Sequence, residues 1–265
     1  MTIADNLQTL IDCKADMKSA IEEKGVTVSG GLSTYADAIR RIEGGGVLSK
    51  FQNGTTFNRS SCTTIPPIDI SEMTNLDWLF QDCTQLTSIP QLNTTHIDCM
   101  YGTFSGCVRL TDIPILDVSN CDCFKWTFNA TKIKQVPLTN MNKLKSLTGM
   151  FTSCTELTSI PLMDCANVVD CDNMCYMCSN LVDIAGFKNL GKYNAITLEL
   201  MFKEAPKISR QSCINIFNNL YDRKSAGYSV KEIDFDNAVL NRLSSDDIAI
   251  ATKKGWTVRA VSGFN

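Results

Sequence analysis

The sequence predicts an α/β repeat solenoid with an N-terminal helical segment and a C-terminal α/β cap, and three observations carry that prediction. The segments Leu86-Thr87-Ser88-Ile89-Pro90, Leu110-Thr111-Asp112-Ile113-Pro114, Ile133-Lys134-Gln135-Val136-Pro137 and Leu157-Thr158-Ser159-Ile160-Pro161 are copies of one another. Cys62-Thr63-Thr64-Ile65-Pro66 and Leu181-Val182-Asp183-Ile184-Ala185 flank them as further copies. The residues Ile65, Ile89, Ile113, Val136, Ile160 and Ile184 are spaced 24, 24, 23, 24 and 24 apart. A 24-residue period falls within the roughly 20–29 residues of leucine-rich repeats, so the expected class is leucine-rich-repeat-like.

Aligned on that period, the units form columns. Phe80, Phe104, Phe128, Phe151 and Cys175 share one column, and Cys83, Cys107, Cys154 and Cys178 another, with a one-residue gap near Thr131. Leu86, Leu110, Ile133, Leu157 and Leu181 close each unit. The Phe-x-x-Cys-x-x-Leu spacing places apolar groups about one helical turn apart and predicts a short helical turn. The following Leu-Thr-Ser-Ile-Pro piece, β-branched and ended by proline, predicts a short strand. Asp69, Asn93, Asp117, Asn140 and Asp164 suit a turn in which the side chain accepts from nearby backbone amides. One unit alone cannot bury its apolar face, whereas adjacent units share a core.

These units resemble the BspA-like leucine-rich repeats, in the variant with the consensus Met-Phe-x-x-Cys-x-x-Leu-Thr-Ser-Ile-Pro. Met150-Phe151-Thr152-Ser153-Cys154-Thr155-Glu156-Leu157-Thr158-Ser159-Ile160-Pro161 is the best match, and the resemblance covers about residues 56 to 209. The chain departs from the ordinary leucine-rich consensus where an Asn/Cys column is expected, holding Ile70, Thr94, Val118, Met141 and Cys165 instead. The last unit fits with about three extra residues, pairing Met201-Phe202 with Met150-Phe151.

Three regions are expected: an attachment or oligomerisation segment over 1–46, the repeat body over 47–209 and the cap over 210–265. Residues 3 to 23 read as a helix, with Ile3, Leu7, Leu10, Met17 and Ile21 on a heptad seam that Lys14 interrupts. Self-association and packing of an amphipathic helix on something larger both stay open. A second short helix starts at Ser33, a plausible N-cap, and Gly44-Gly45-Gly46 reads as a flexible linker. Lys24-Gly25-Val26 followed by Gly31-Leu32-Ser33-Thr34-Tyr35-Ala36-Asp37-Ala38-Ile39 resembles leaders on tail, fibre and other virion proteins of bacteriophages. Toward the other end, Ser212–Leu220 is apolar at helical spacing and Val230–Phe235 alternates like a strand. Ser244 caps a helix that Gly255 ends, and Trp256–Ala260 is a final strand. The ending Ala-Thr-x-Lys-Gly-Trp-Thr resembles tails that accompany such repeats in phage and gut-bacterial proteins.

The chemistry readable from the chain is sparse. In 265 residues there are 25 basic and 28 acidic side chains, a net charge of -3, which argues against nucleic-acid or membrane-surface binding. An apolar fraction of 44% supports a substantial core. No basic, apolar leader suggests secretion and no run suggests membrane insertion, so the 13 cysteines are expected as reduced thiols. Cys165, Cys171, Cys175 and Cys178 have zinc-like spacings, but each stands in an apolar column and reads as core. Cys121-Asp122-Cys123 is a weaker motif, with Cys123 matching Cys99 in a mixed polar column. The single histidine, His96, shares a column with Glu72, Asn120, Lys143 and Asn167 and reads as exposed. Trp78 and Trp126 alternate with Gly102 and Gly149, either as an exposed aromatic stripe or as interleaved large and small residues. No cofactor, metal or catalytic residue is expected.

The expected function is a non-enzymatic structural or adhesion protein of a bacteriophage particle, made in the host cytoplasm and located in the virion. The alternative is a bacterial BspA-like surface adhesin or interaction protein. Expected partners are further copies of itself, a trimer being favoured, other virion proteins, and a host-surface protein or glycan. The expected recognition face comprises Thr87, Ser88, Thr111, Asp112, Lys134, Gln135, Thr158 and Ser159, which recur between inward Leu and Ile. A solvated strand face without a ligand is the competing reading.

Overall fold

The structure, a computed structural model, describes residues 51–57, 61–65 and 68–261. The 1–46 segment, its heptad seam, the Ser33 cap and the glycine linker lie outside the described residues. Six strands have two residues each: β1 (Leu116–Asp117), β2 (Leu138–Thr139), β3 (Ser159–Ile160), β4 (Met163–Asp164), β5 (Asp183–Ile184) and β6 (Phe187–Lys188). Helix α1 (Arg210–Asn219), strand β7 (Lys231–Asp236), helices α2 (Asn237–Leu240) and α3 (Ser245–Lys253) and strand β8 (Trp256–Val261) follow. The strands pair in parallel as four two-stranded sheets, β1–β2, β3–β5, β4–β6 and β7–β8.

This corrects the expected fold class. Short two-stranded sheets, and three helices that all follow residue 209 among the described residues, do not make a leucine-rich-repeat-like α/β solenoid. Two physical causes act. Prolines such as Pro114 and Pro161 lack the N–H that a longer ladder would need. The expected helical turn fails for a backbone reason. Trp78, Gly102, Trp126, Gly149 and Asn173, and four residues later Asp82, Gly106, Ala130, Ser153 and Met177, have φ between 54° and 77°. A left-handed residue every fourth position forbids a right-handed helix.

Those left-handed residues redirect their amides. Trp78 N–H donates to the Tyr101 carbonyl, Gly102 to Lys125, Trp126 to Thr148 and Gly149 to Asp172, each in the following unit, at 2.8–2.9 Å. Between them, Leu79 donates to Leu76 and Gln81 to Trp78 within the same unit. Each Phe-x-x-Cys segment is thus a coil of turns bonded alternately to itself and to its neighbour. The 24-residue period survives as pairing register, in the parallel rungs Asn75–Cys99–Cys123–Ser146–Asp170–Thr197 and Thr64–Ser88–Asp112. The step from Asp170 to Thr197 is three residues longer, as the insertion in the last unit requires.

The apolar columns form the core. Phe57, Phe80, Phe104, Phe128 and Phe151 lie ring on ring, with successive centroids 5.6, 5.6, 5.7 and 5.9 Å apart and planes within 16°. That spacing is within the favourable range for offset aromatic pairs. The cysteine column is polar in one respect: the thiols of Cys83, Cys107, Cys154 and Cys178 donate to the carbonyls of Phe57, Phe80, Phe128 and Phe151. At the gap, Thr131 Oγ1 donates to the Phe128 carbonyl at 2.8 Å. Four of the five expected Asx turns are present: Asp69, Asn93, Asp117 and Asp164 each accept from the amide two residues on, whereas at Asn140 that amide donates to the backbone carbonyl and the side chain donates to Asp117.

Helix α1 closes the edge of β5. Ser212 Oγ donates to the Val182 carbonyl at 2.9 Å and accepts from Ile184 N–H at 2.8 Å, standing in for another strand. Ser209 caps α1, and a Ser244–Asp247 capping box starts α3. Asp247 also takes a bidentate pair from Arg210, at 2.8 and 2.7 Å, tying α3 to α1. Arg223 is buried beside Trp256 and Tyr228, and donates to the carbonyls of Gly191 and Ser229 and to Asn194.

Candidate recognition face

The Leu-x-x-Ile pieces position the candidate face. Their Leu and Ile side chains are buried, so the two residues between them turn outward: Thr87, Thr111, Asp112, Lys134, Gln135 and Thr158 are exposed, Ser88 and Ser159 half-buried. The rungs join Ser88 to Asp112 and, through β3–β5, Ser159 to Asp183. Not every polar group is left for a ligand. Thr87 Oγ1 donates to the Thr63 carbonyl and Thr158 Oγ1 to the Lys134 carbonyl, both at 3.1 Å.

At the C-terminal end of this face the surface becomes concave. A groove of about 440 Å³ runs between the rungs and helix α1, lined on one side by Gln135, Ser159 and Asp183 and on the other by Gln211 and Asn215. Of the eight expected residues, Gln135 and Ser159 line it; Thr87, Ser88, Thr111, Asp112, Lys134 and Thr158 do not. The α1 wall escaped sequence reasoning because it lies outside the repeat. Asp183 carried a usable signal, since it occupies the Ser88, Asp112 and Ser159 position. The groove offers amide, hydroxyl and carboxylate groups over an apolar floor that includes Ile160 and Ile184. Such a lining binds by hydrogen bonding and shape.

The other sequence candidates separate cleanly. His96 is half-buried and its Nε2 lies 3.0 Å from the Ile70 carbonyl, which corrects its reading as an exposed side chain. Cys165, Cys171, Cys175 and Cys178 are buried in the core, and three of their thiols point to different carbonyls: Met163, Thr197 and Phe151. Burial, the largest influence, pushes the Cys165 and Cys171 thiols up. Among the described residues, no group of three His, Cys, Asp or Glu side chains is placed to hold a metal ion. Trp78 and Trp126 interleave with the glycines: a Cβ built on Gly102 or Gly149 would lie 2.1 or 2.4 Å from the respective indole. No described helix is long and apolar enough to cross a membrane.

This body of repeated units with closing helices is the setting for the family comparison. The chain belongs to the family described as "Mycoplasma protein of unknown function, DUF285", whose model matches residues 48–185 and again 122–216. The overlap is what an internally repeated sequence produces, because the same units fit the model in two registers. The match identifies a BspA-like repeat protein. No curated protein and no solved structure matches the chain.

Proposed function

We propose that this is a non-enzymatic recognition protein of a bacteriophage particle. In this reading the 1–46 leader attaches it to the virion, and the repeat body meets a host-surface protein or glycan. The observation that carries the recognition role is the groove between Gln135, Ser159 and Asp183 and helix α1, continuous with an exposed row of paired hydroxyl, amide and charged groups. The virion setting rests on the resemblance of the leader to those of phage virion proteins. The test combines particle proteomics with binding. Purified virions should contain the chain at a fixed copy number, and the purified protein should bind host cells or a glycan array. Gln211→Arg and Ser159→Arg, which fill the groove, should weaken that binding at least tenfold. Binding unaffected by both variants would remove the groove from the function. Finding the chain on the bacterial envelope and not in particles would favour a surface adhesin.

A further inference from the structure

Of the twelve described cysteines, ten are buried and only Cys99 and Cys123 are half-exposed. These two are consecutive rungs of one parallel ladder, directly opposite each other in register. Adjacent parallel strands lie about 4.8 Å apart, inside the roughly 4.4–6.8 Å of Cα separation that a disulfide bridges. Both residues open into a groove of about 810 Å³ with Asp98, Asp122, Lys143 and Lys145. That groove shares no lining residue with the one on the recognition face.

We propose that Cys99 and Cys123 form a thiol–disulfide exchange site, which takes a low-molecular-weight disulfide such as oxidised glutathione and closes a disulfide between adjacent units. The surroundings assign the roles. The Cys99 thiol hydrogen-bonds to Cys123, the Lys125 N–H and ammonium stabilise it further, and together they hold Cys123 down to about 7 against the cost of burial. The same hydrogen bond, burial and Asp77 push the Cys99 thiol up. Asp170 fixes the Lys125 ammonium at 3.1 Å. The Cys123 thiolate attacks one sulfur of the small disulfide, breaking its S–S bond and expelling one glutathione thiolate. Cys99 then loses its proton to solvent and attacks the Cys123 sulfur, expelling the second. The two protein thiols are oxidised, and one glutathione disulfide is reduced to two thiols.

The test treats the reduced full-length chain with oxidised glutathione at pH 7, followed by peptide mapping without reduction. The expected first product is a Cys99–Cys123 link. C99S should instead accumulate a glutathione adduct on Cys123, while C123S should react at least tenfold more slowly at Cys99, because burial and Asp77 still hold that thiol protonated where Cys123 is about half thiolate. Iodoacetamide on the native wild type should label Cys123 first, with half-maximal rate near pH 7. A wild-type map that lacks the Cys99–Cys123 link, or that joins either residue to a third cysteine such as Cys13 first, overturns the proposal.

Discussion

At the residue scale, the informative positions are those where the backbone turns left-handed. Gly149 has φ +64°, and a Cβ there would meet the Trp126 indole at 2.4 Å; Gly54 has φ +86° and nothing within 4 Å. The two glycines therefore separate two costs. Gly54→Ala should lose only the conformational term, about 1–2 kcal/mol. Gly149→Ala adds displacement of a packed indole and should lose about 2–4 kcal/mol. Urea unfolding midpoints measure both. Equal losses would show that the interleaved Trp–Gly packing contributes nothing. The alternation was visible in the sequence, yet its meaning required knowing that these positions are left-handed. Glycines at 102, 106 and 149 were the available sign; Trp78, Asp82 and Trp126, non-glycine residues at the same positions, concealed it.

At the element scale, the helices after residue 209 form where capping and periodicity agree. Asp247 shows how far one cap reaches: its carboxylate accepts from Ser244 N–H at 2.8 Å and pairs with Arg210 on α1. Arg210, and then the Ser244 amide, hold Asp247 below its ordinary value. A depressed carboxylate contributes stability above its unfolded pKa, about 4, and that contribution disappears as the pH falls through the lower folded value. Wild type should therefore exceed Asp247→Asn in stability at pH 6, with the gap narrowing toward pH 3. A constant gap in denaturant titrations at the two pH values would mean that the charge is irrelevant. Ser244 and the apolar spacing of Ser212–Leu220 made α3 and α1 legible. The helical turns read into the repeats failed because a three-residue apolar spacing is shared by helices and by coils of turns. The packing of α1 beside β5 left no trace in local pattern, since Ser212 reaches Ile184 and Val182 only through tertiary contact.

At the scale of the whole molecule, the core lies in the described residues, and the assembly element we propose, the 1–46 segment, lies outside them. The apolar cluster of the described residues runs from Cys62 to Trp256, through every unit and into β8. The heptad residues Ile3, Leu7, Leu10, Met17 and Ile21 stand before it in the sequence and lie outside the described residues; the helix that their spacing predicts over 3–23 would be on the order of 30 Å long at about 1.5 Å per residue. We propose that this seam joins copies of the chain, a trimer being favoured, with Lys14 limiting its strength. Sedimentation equilibrium of the intact 29.3 kDa chain should give a trimer, and Leu10→Asp should dissociate it without shifting the urea midpoint of the repeat body. Deleting residues 1–46 should leave a folded monomer. A truncated chain that still sediments as an oligomer would place the assembly interface in the repeat body. An intact chain that sediments as a monomer would remove the heptad seam as a self-association element and leave only its docking on another protein to be tested.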